Sequence, residues 1–396
     1  MKPSLRFSAL ILFGWLLCDS LSAQTASRIK PPLPDPPRLS ASSYLLQDFN
    51  SATVLVQHNA DARVEPASIT KVMTAYVVFH ELQAGKLALD DLVTVSEKAW
   101  RKGGSKMFIE VGDKVLVEDL LRGMIVQSGN DASIALAEAV AGSEAAFASV
   151  MNGYAAQLGM QDSHFVNATG WPHEDHYTTA ADLARLARAM IQEFPDFYGY
   201  FAEREFSYGG IEQPNRNRLL LLGPGVDGLK TGHTEAAGYC LLASAVQDGM
   251  RLISVVMGTE SEQQRNDQSL ELLVYGQRFF TSMLVQQGQE PIGQLRIWKG
   301  TQDTVAVQVS ADIHVAVPRS QVDDVRTVVR VQQPLLAPLA VGDEVGRLQV
   351  LLADSVIAEY PLQAADDVAP AGLMTRWWHG MRLWMGAGDA ATGADD

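Results

Sequence analysis

The spacing of apolar positions divides the chain into stretches of different period. An apolar run from Phe7 to Leu17 follows Lys2 and Arg6 and ends in the small residues Ser20-Leu-Ser-Ala23. It is too short to cross a bilayer and predicts a secretory signal peptide over 1–23, cleaved after Ala23. The proline-rich residues 24–38 predict an extended leader. Two strand-like runs, Ser43-Tyr-Leu-Leu-Gln-Asp-Phe-Asn and Thr53-Val-Leu-Val-Gln-His-Asn, predict a hairpin turning near Asn50-Ser-Ala. Helical spacing governs 68 to about 190, strand patterns return from about 218 to 258, and 264–283 predicts a closing helix. Strands of one sheet drawn from both ends, with helices between, predict an α/β domain over 39–286.

From Gly288 onward the period shortens to two. Gln294-Leu-Arg-Ile-Trp298, Thr304 to Val309, Ile313 to Val317, Thr327 to Val331, Arg347 to Leu352 and Val356 to Tyr360 predict a small all-β domain over 287–366. It carries no catalytic constellation and reads as a spacer or docking module. The last segment, 367–396, turns helical again between Ala369 and Gly386. On a wheel of about 100° per residue, Leu373, Met374, Trp377, Trp378, Met381, Trp384 and Met385 share one arc; Thr375, Arg376, His379 and Arg382 lie outside it, and Leu383 is an exception. This predicts an amphipathic membrane-anchor helix over 369–386, with tryptophans at headgroup level and arginines facing anionic lipid. The alternative is a helix docked on the protein's own core.

Composition narrows the classes. With 396 residues, 47% of them hydrophobic, the chain is large enough for two domains. A formal charge of −15 and a pI near 5.0 argue against a nucleic-acid partner, which needs basic surface. Repulsion from anionic lipid would hold so acidic a body away from a membrane while a basic helix stays attached. Of the two cysteines, Cys18 leaves with the signal, and Leu17 before it is too large for a lipid-attachment pattern. Cys240 remains alone, so no intrachain disulfide forms. No histidine pair has metal-ligand spacing, since His173 and His176 sit in a loop-like stretch; neither a metal nor a cofactor is expected.

Three short strings carry the candidate chemistry, in this order: Ser68-Ile-Thr-Lys71, Ser128-Gly-Asn130 and Lys230-Thr231-Gly232. Ser68 and Lys71 fall at the predicted start of a helix, where residues three apart share a face and the lysine amine reaches the hydroxyl. A serine hydroxyl needs a base to become a nucleophile. Lysine serves only when partly neutral, which burial or a second cation favours, and Lys230 is a candidate for that cation. Ser128 and Asn130 occupy a tight turn between two helical patterns, where a hydroxyl shuttles protons and an amide bridges a substrate carbonyl and Lys71. Lys230-Thr231-Gly232 falls in a strand pattern, and the glycine lets a substrate backbone approach an edge strand. Any one of these strings is commonplace; their co-occurrence in this order is the signature of an acyl-transfer site.

The resemblance goes further. Gln127-Ser-Gly-Asn-Asp131 and Lys230-Thr-Gly-His-Thr234, with Leu158 to Phe165, Met250 to Ser254 and Tyr275 to Phe280, resemble the low-molecular-mass penicillin-binding proteins, serine-type D-alanyl-D-alanine carboxypeptidases of the penicillin-binding protein 5 group. The likeness covers most of the chain from Leu39 onward. It implies a β-lactamase/transpeptidase-like α/β fold and removal of the terminal D-alanine from peptidoglycan pentapeptides. It further implies periplasmic residence against the inner membrane and covalent inhibition by β-lactam antibiotics. By the same resemblance Ser68 is the acylated nucleophile, Lys71 its base, Ser128 the donor to the leaving amine, and Asn130 the holder of the acyl-side amide. Lys230 and Thr231 bias and hold the substrate carboxylate, Gly232 admits the substrate, and the N–H groups of Ser68 and His233 form an oxyanion hole. Arg265 matches a carboxylate-binding arginine of the family, against the plainer reading of a solvated helix arginine. The middle region Asn167 to Tyr177 is polar and aromatic and carries no Glu-x-x-x-Asn of the kind that supplies the deacylating carboxylate of a β-lactamase, and Glu174 and Asp175 read as surface charges. Two alternatives remain open: a D,D-endopeptidase that cuts cross-links, and a wall- or β-lactam-binding protein with a vestigial site.

Overall fold

A computed structural model describes residues 32–331 and 333–386; the predicted signal peptide, Cys18 and the tail beyond Gly386 lie outside them. Five antiparallel strands frame the first domain, in the order Val54–His58, Ser43–Asp48, Met250–Thr259, Gly238–Gln247 and Val226–Thr234. Strands from both ends of the domain thus share one sheet. Because successive side chains point to opposite faces, the sheet feeds two cores. Leu45, Leu242, Ile253 and Val255 join the core under the main helices, while Leu46, Leu241, Leu252 and Val256 pack with Leu272 and Leu273 of the helix Glu262–Phe279.

The helix Thr70–Gln83 is buried at every position from Thr70 to Phe79. A helix buried all round has no solvent face and belongs in the middle of a domain. It contacts the helices Val117–Ile125, Asn130–Ala141, Glu144–Gln157 and Ala180–Glu193, and the edge strand Val226–Thr234. The short hairpins Leu92–Thr94 with Lys114–Leu116 and Glu205–Tyr208 with Ile211–Pro214 interrupt what reads in sequence as helix or loop.

Two boundaries differ from the sequence reading. The closing helix stops at Phe279, and Phe280–Gln286 becomes a strand paired with Ile313–Pro318. Apolar spacing runs unbroken through Phe279–Met283, so periodicity alone cannot mark a change whose cause is a partner strand distant in sequence. Leu219–Leu222 is one helical turn rather than strand, and Asn217 Oδ1 accepts the Leu219 N–H at its start.

Each of the six predicted alternations in the second domain is a strand: Gly293–Trp298, Thr304–Gln308, Ile313–Pro318, Val325–Val331, Glu344–Leu352 and Ser355–Ala364. Their inward residues, among them Ile297, Val305, Val307, Leu348, Val350 and Leu362, form a separate core. The predicted C-terminal helix spans Leu373–Trp384, shorter than the 369–386 segment. The residues before it are tied to the β domain, Val368 to Leu339 by two backbone hydrogen bonds, Thr301 N–H to Ala369 O, and Ala371 N–H to Lys299 O. Among the described residues no single helix is long and apolar enough to cross a membrane.

Candidate active site

The three strings converge at one end of the central helix. Ser68 sits in the 3-10 turn Ala67–Ile69 that opens into Thr70–Gln83. Ala67 before it has φ +47° and Ser128 has φ +69°. Backbone held in the left-handed region costs non-glycine residues of the order of 1–3 kcal/mol and persists where packing enforces it. Gly170 is part of that packing: its φ is +81°, and a Cβ there would lie 1.7 Å from Ala67 O.

Lys71 is wholly buried. Its Nζ lies 3.0 Å from Ser68 Oγ, 2.7 Å from Asn130 Oδ1 and 2.7 Å from the carbonyl of Thr169. The latter two partners only accept. Two acceptors match the two N–H bonds of the amine's neutral form, whose lone pair would then face the serine hydroxyl. Burial first, then Lys230 and Arg216, hold the Lys71 amine well below its ordinary range. Lys230, also buried, donates to Thr231 O at 3.2 Å and is pushed down to about 7 by burial, Arg216 and Arg265.

The Ser128–Asn130 turn joins the helices Val117–Ile125 and Asn130–Ala141, as its sequence predicts. Asn130 Nδ2 donates to Gly103 O at 2.8 Å while its Oδ1 takes Lys71, which fixes the amide orientation. Asp131, fully buried, accepts the N–H groups of Met107, Phe108 and Ala132 and so binds the 103–108 segment to the turn. The buried Ser128 Oγ makes no hydrogen bond among the described residues.

Ser68 stands between two hollows. One, of about 580 Å³, is lined by Ser128, Thr231, Gly232, His233, Arg216 and Arg265, with Leu221 at its lip. The other, of about 600 Å³, is lined by Asn130, Thr169, Gly170, Trp171 and the 233–236 turn. Ser68, Ser128, Asn130, Thr231, Gly232, His233 and Arg265 line the hollows, Lys71 bonds Ser68 and Asn130 beneath them, and Lys230 lines neither hollow but acts on Lys71 through its charge. Gly232 lies on the sheet-edge strand, where a Cβ would stand 3.0 Å from Pro66 O and 3.2 Å from Ala67 Cβ. The His233 ring turns outward, stacked on Tyr239 at 3.8 Å, leaving its backbone for the cleft. Arg265 is buried rather than solvated, held by Asn266 Oδ1 and by Glu262 at 3.3 Å.

Sequence reasoning passed over other contributors. Arg216 lines the cleft with Nε on Gln127 O at 3.0 Å, and its charge reaches both lysines. No fixed spacing ties it to any string. Asn167 Oδ1 accepts from Thr169 N, Gly170 N and Trp171 N, and this loop turns the Thr169 carbonyl onto Lys71. His176, buried behind the nucleophile turn, takes the Val166 N–H on Nδ1, so Nε2 carries the proton and donates to Thr70 Oγ1 at 2.8 Å. Burial first, then His164, His173 and Lys71, lower it to about 4 and keep it neutral. Among the described residues no cluster of His, Cys, Asp or Glu could hold a metal ion. Cys240, buried behind the edge strand, has its thiol raised to about 11 by burial and stays protonated.

Comparison with known proteins gives two family matches: D-alanyl-D-alanine carboxypeptidase over residues 30–261, and the C-terminal domain of penicillin-binding protein 5 over residues 279–370. D-alanyl-D-alanine carboxypeptidase DacD of Salmonella typhimurium is 38% identical, with 93% of this chain and 96% of that protein aligned. DacC of Escherichia coli is 41% identical over 86% of this chain and 88% of its own length. Among solved structures, penicillin-binding protein 5 of Haemophilus influenzae superposes with a TM-score of 0.83 at 38% identity, covering 85% of this chain and 99% of that one. Penicillin-binding protein D2 of Listeria monocytogenes, solved with ampicillin bound, gives 0.56 at 28% identity over 60% of this chain and 99% of its own.

Proposed function

The chain belongs to the D-alanyl-D-alanine carboxypeptidase family and is a serine-type carboxypeptidase, and on that premise we propose that it removes the terminal D-alanine of peptidoglycan stem peptides through an acyl-enzyme on Ser68. The observation that carries this reading is the lysine cage. Lys71 has two acceptors for its two protons and a lone pair toward Ser68 Oγ at 3.0 Å. Lys71 takes the Ser68 proton as Oγ bonds to the penultimate D-alanine carbonyl carbon. The resulting oxyanion is met by the N–H groups of Ser68 and His233, one such donor being worth about 3 kcal/mol of barrier.

When the C–N bond breaks, the leaving amine takes a proton through Ser128 Oγ, whose hydrogen-bonding capacity is unspent among the described residues. Asn130 holds the acyl-side amide. Lys230, Thr231 and Arg265 hold the carboxylate of the departing D-alanine in the cationic hollow, joined by Arg216. Water then attacks the ester, with Lys71 again taking the proton, and the stem leaves one residue shorter. Penicillins enter by the same first step and leave slowly, because the 167–177 loop carries no Glu-x-x-x-Asn to supply a deacylating carboxylate. The complete set of catalytic groups speaks against a vestigial site.

The chain would act outside the cytoplasm, on the periplasmic face of the inner membrane, exported by residues 1–23 and held to lipid by the segment 369–386. Release of free D-alanine from diacetyl-Lys-D-Ala-D-Ala is expected for the wild type and abolished in Ser68→Ala. Mass spectrometry of penicillin-treated protein should place the adduct on Ser68; an adduct elsewhere refutes the assignment. Muropeptide profiling distinguishes loss of terminal D-alanine from cleavage of cross-links.

A further inference from the structure

The helix Leu373–Trp384 is gripped on one side and bare on the other. On the gripped side His379 is buried, its Nδ1 accepting the Lys299 backbone N–H at 2.8 Å and its ring edge-on to Trp298 at 5.5 Å. Trp298 is itself buried, and Arg382 reaches over its ring at 5.6 Å and Arg296 at 4.2 Å. Leu383, one turn beyond His379, is half-buried on the same side, which explains its departure from the apolar arc. On the bare side Leu373, Met374 and Trp384 are 83%, 87% and 87% exposed.

Between the strapped residues 368–371 and the first helical residue stands only Gly372. That leaves no length of free chain for a swinging tether. Residues 369–386 contain two arginines and no carboxylate, in a chain of formal charge −15. A lipid interface, which takes tryptophan at its edge and basic residues at anionic headgroups, is the environment this face fits.

We infer that His379 clamps the helix to the β domain, so that the protein meets an anionic lipid surface at one fixed tilt instead of trailing from a flexible anchor. The inference rests on the membrane reading proposed above, but the clamp is testable without lipid. In the lipid-free full chain, amide hydrogen exchange over 373–384 should be protected, and His379→Ala should speed it at least about tenfold, as expected when a docked helix opens locally. His379→Asn, which keeps an acceptor near Lys299 N, should restore part of the protection.

On vesicles of phosphatidylglycerol and phosphatidylethanolamine, His379→Ala should bind within about threefold of the wild type, since the apolar arc is intact. Energy transfer from a fluorescent penicillin in the active site to labelled headgroups should then change from one narrow distance distribution to a broad one. Turnover of a soluble peptide should not change. Equal exchange rates in wild type and His379→Ala, or a distribution already broad in the wild type, would overturn the clamp. Absence of vesicle binding by the wild type would overturn the membrane reading and the fixed tilt with it, while the exchange result still decides the clamp. A lipid-free dimer that vesicles do not dissociate would assign the arc to a second copy and overturn the lipid assignment.

Discussion

At the residue scale, the chemistry comes down to where protons rest. Lys71→Ala should keep the fold and cut penicillin acylation by roughly 10²–10⁴, the usual worth of a positioned base; unchanged labelling would remove Lys71 from that role. Lys230 is a second lever. Its charge is one of the influences that lower the Lys71 pKa, so Lys230→Met should let that pKa rise and move the acidic limb of the kcat/KM profile to higher pH. The same change has a stability consequence with a definite sign. The folded Lys230 titrates near 7, below the ordinary 10.5, so between those values the unfolded chain binds more protons and wild-type stability climbs with pH. Lys230→Met should therefore melt higher than wild type at pH 7, with the gap closing as pH approaches 10. Ser68, Lys71 and Lys230 were legible because their types and order carry a chemical logic. Arg216, Asn167 and His176 were not, because each acts by proximity that only the fold creates.

At the level of elements, the site is a meeting of ends: a helix start, an inter-helix turn, a loop and an edge strand. Gly170→Ala tests how tightly they mesh. A methyl group colliding with Ala67 O, on a backbone of positive φ, should lower the melting temperature and displace Thr169 from Lys71. Activity and acylation should fall together, as followed by calorimetry and fluorescent penicillin. Asp131→Asn should cost about 1–3 kcal/mol, since a buried amide cannot accept the same set of N–H groups without leaving a partner unmet. The hairpin, the edge strand and the six β-domain strands could be read from periodicity because each carries its pattern locally. The strand Phe280–Gln286 escaped because its pattern merges with the preceding helix, and the short hairpins escaped because three or four residues are too few to show a period.

At the scale of the whole molecule, an acidic body encloses a basic cleft and carries a basic, tryptophan-rich helix. A chain ending at Asp366 should stay active on soluble peptide and lose sedimentation with anionic vesicles; continued pelleting would refute the lipid role of the helix. Binding by the full chain should weaken with ionic strength, as screening of the arginines requires. The cleft's charge has a further consequence after the bond is cut. Across the two steps one carboxylate becomes two: the substrate's own leaves on D-alanine at acylation, and a new one forms on the trimmed stem at Ser68 at hydrolysis, both near the cations Arg216 and Arg265 that line the cleft. The departing products are thus drawn back by the same field that admitted the reactant, so free D-alanine should compete with fresh peptide, and moderate salt should hasten turnover by loosening that grip.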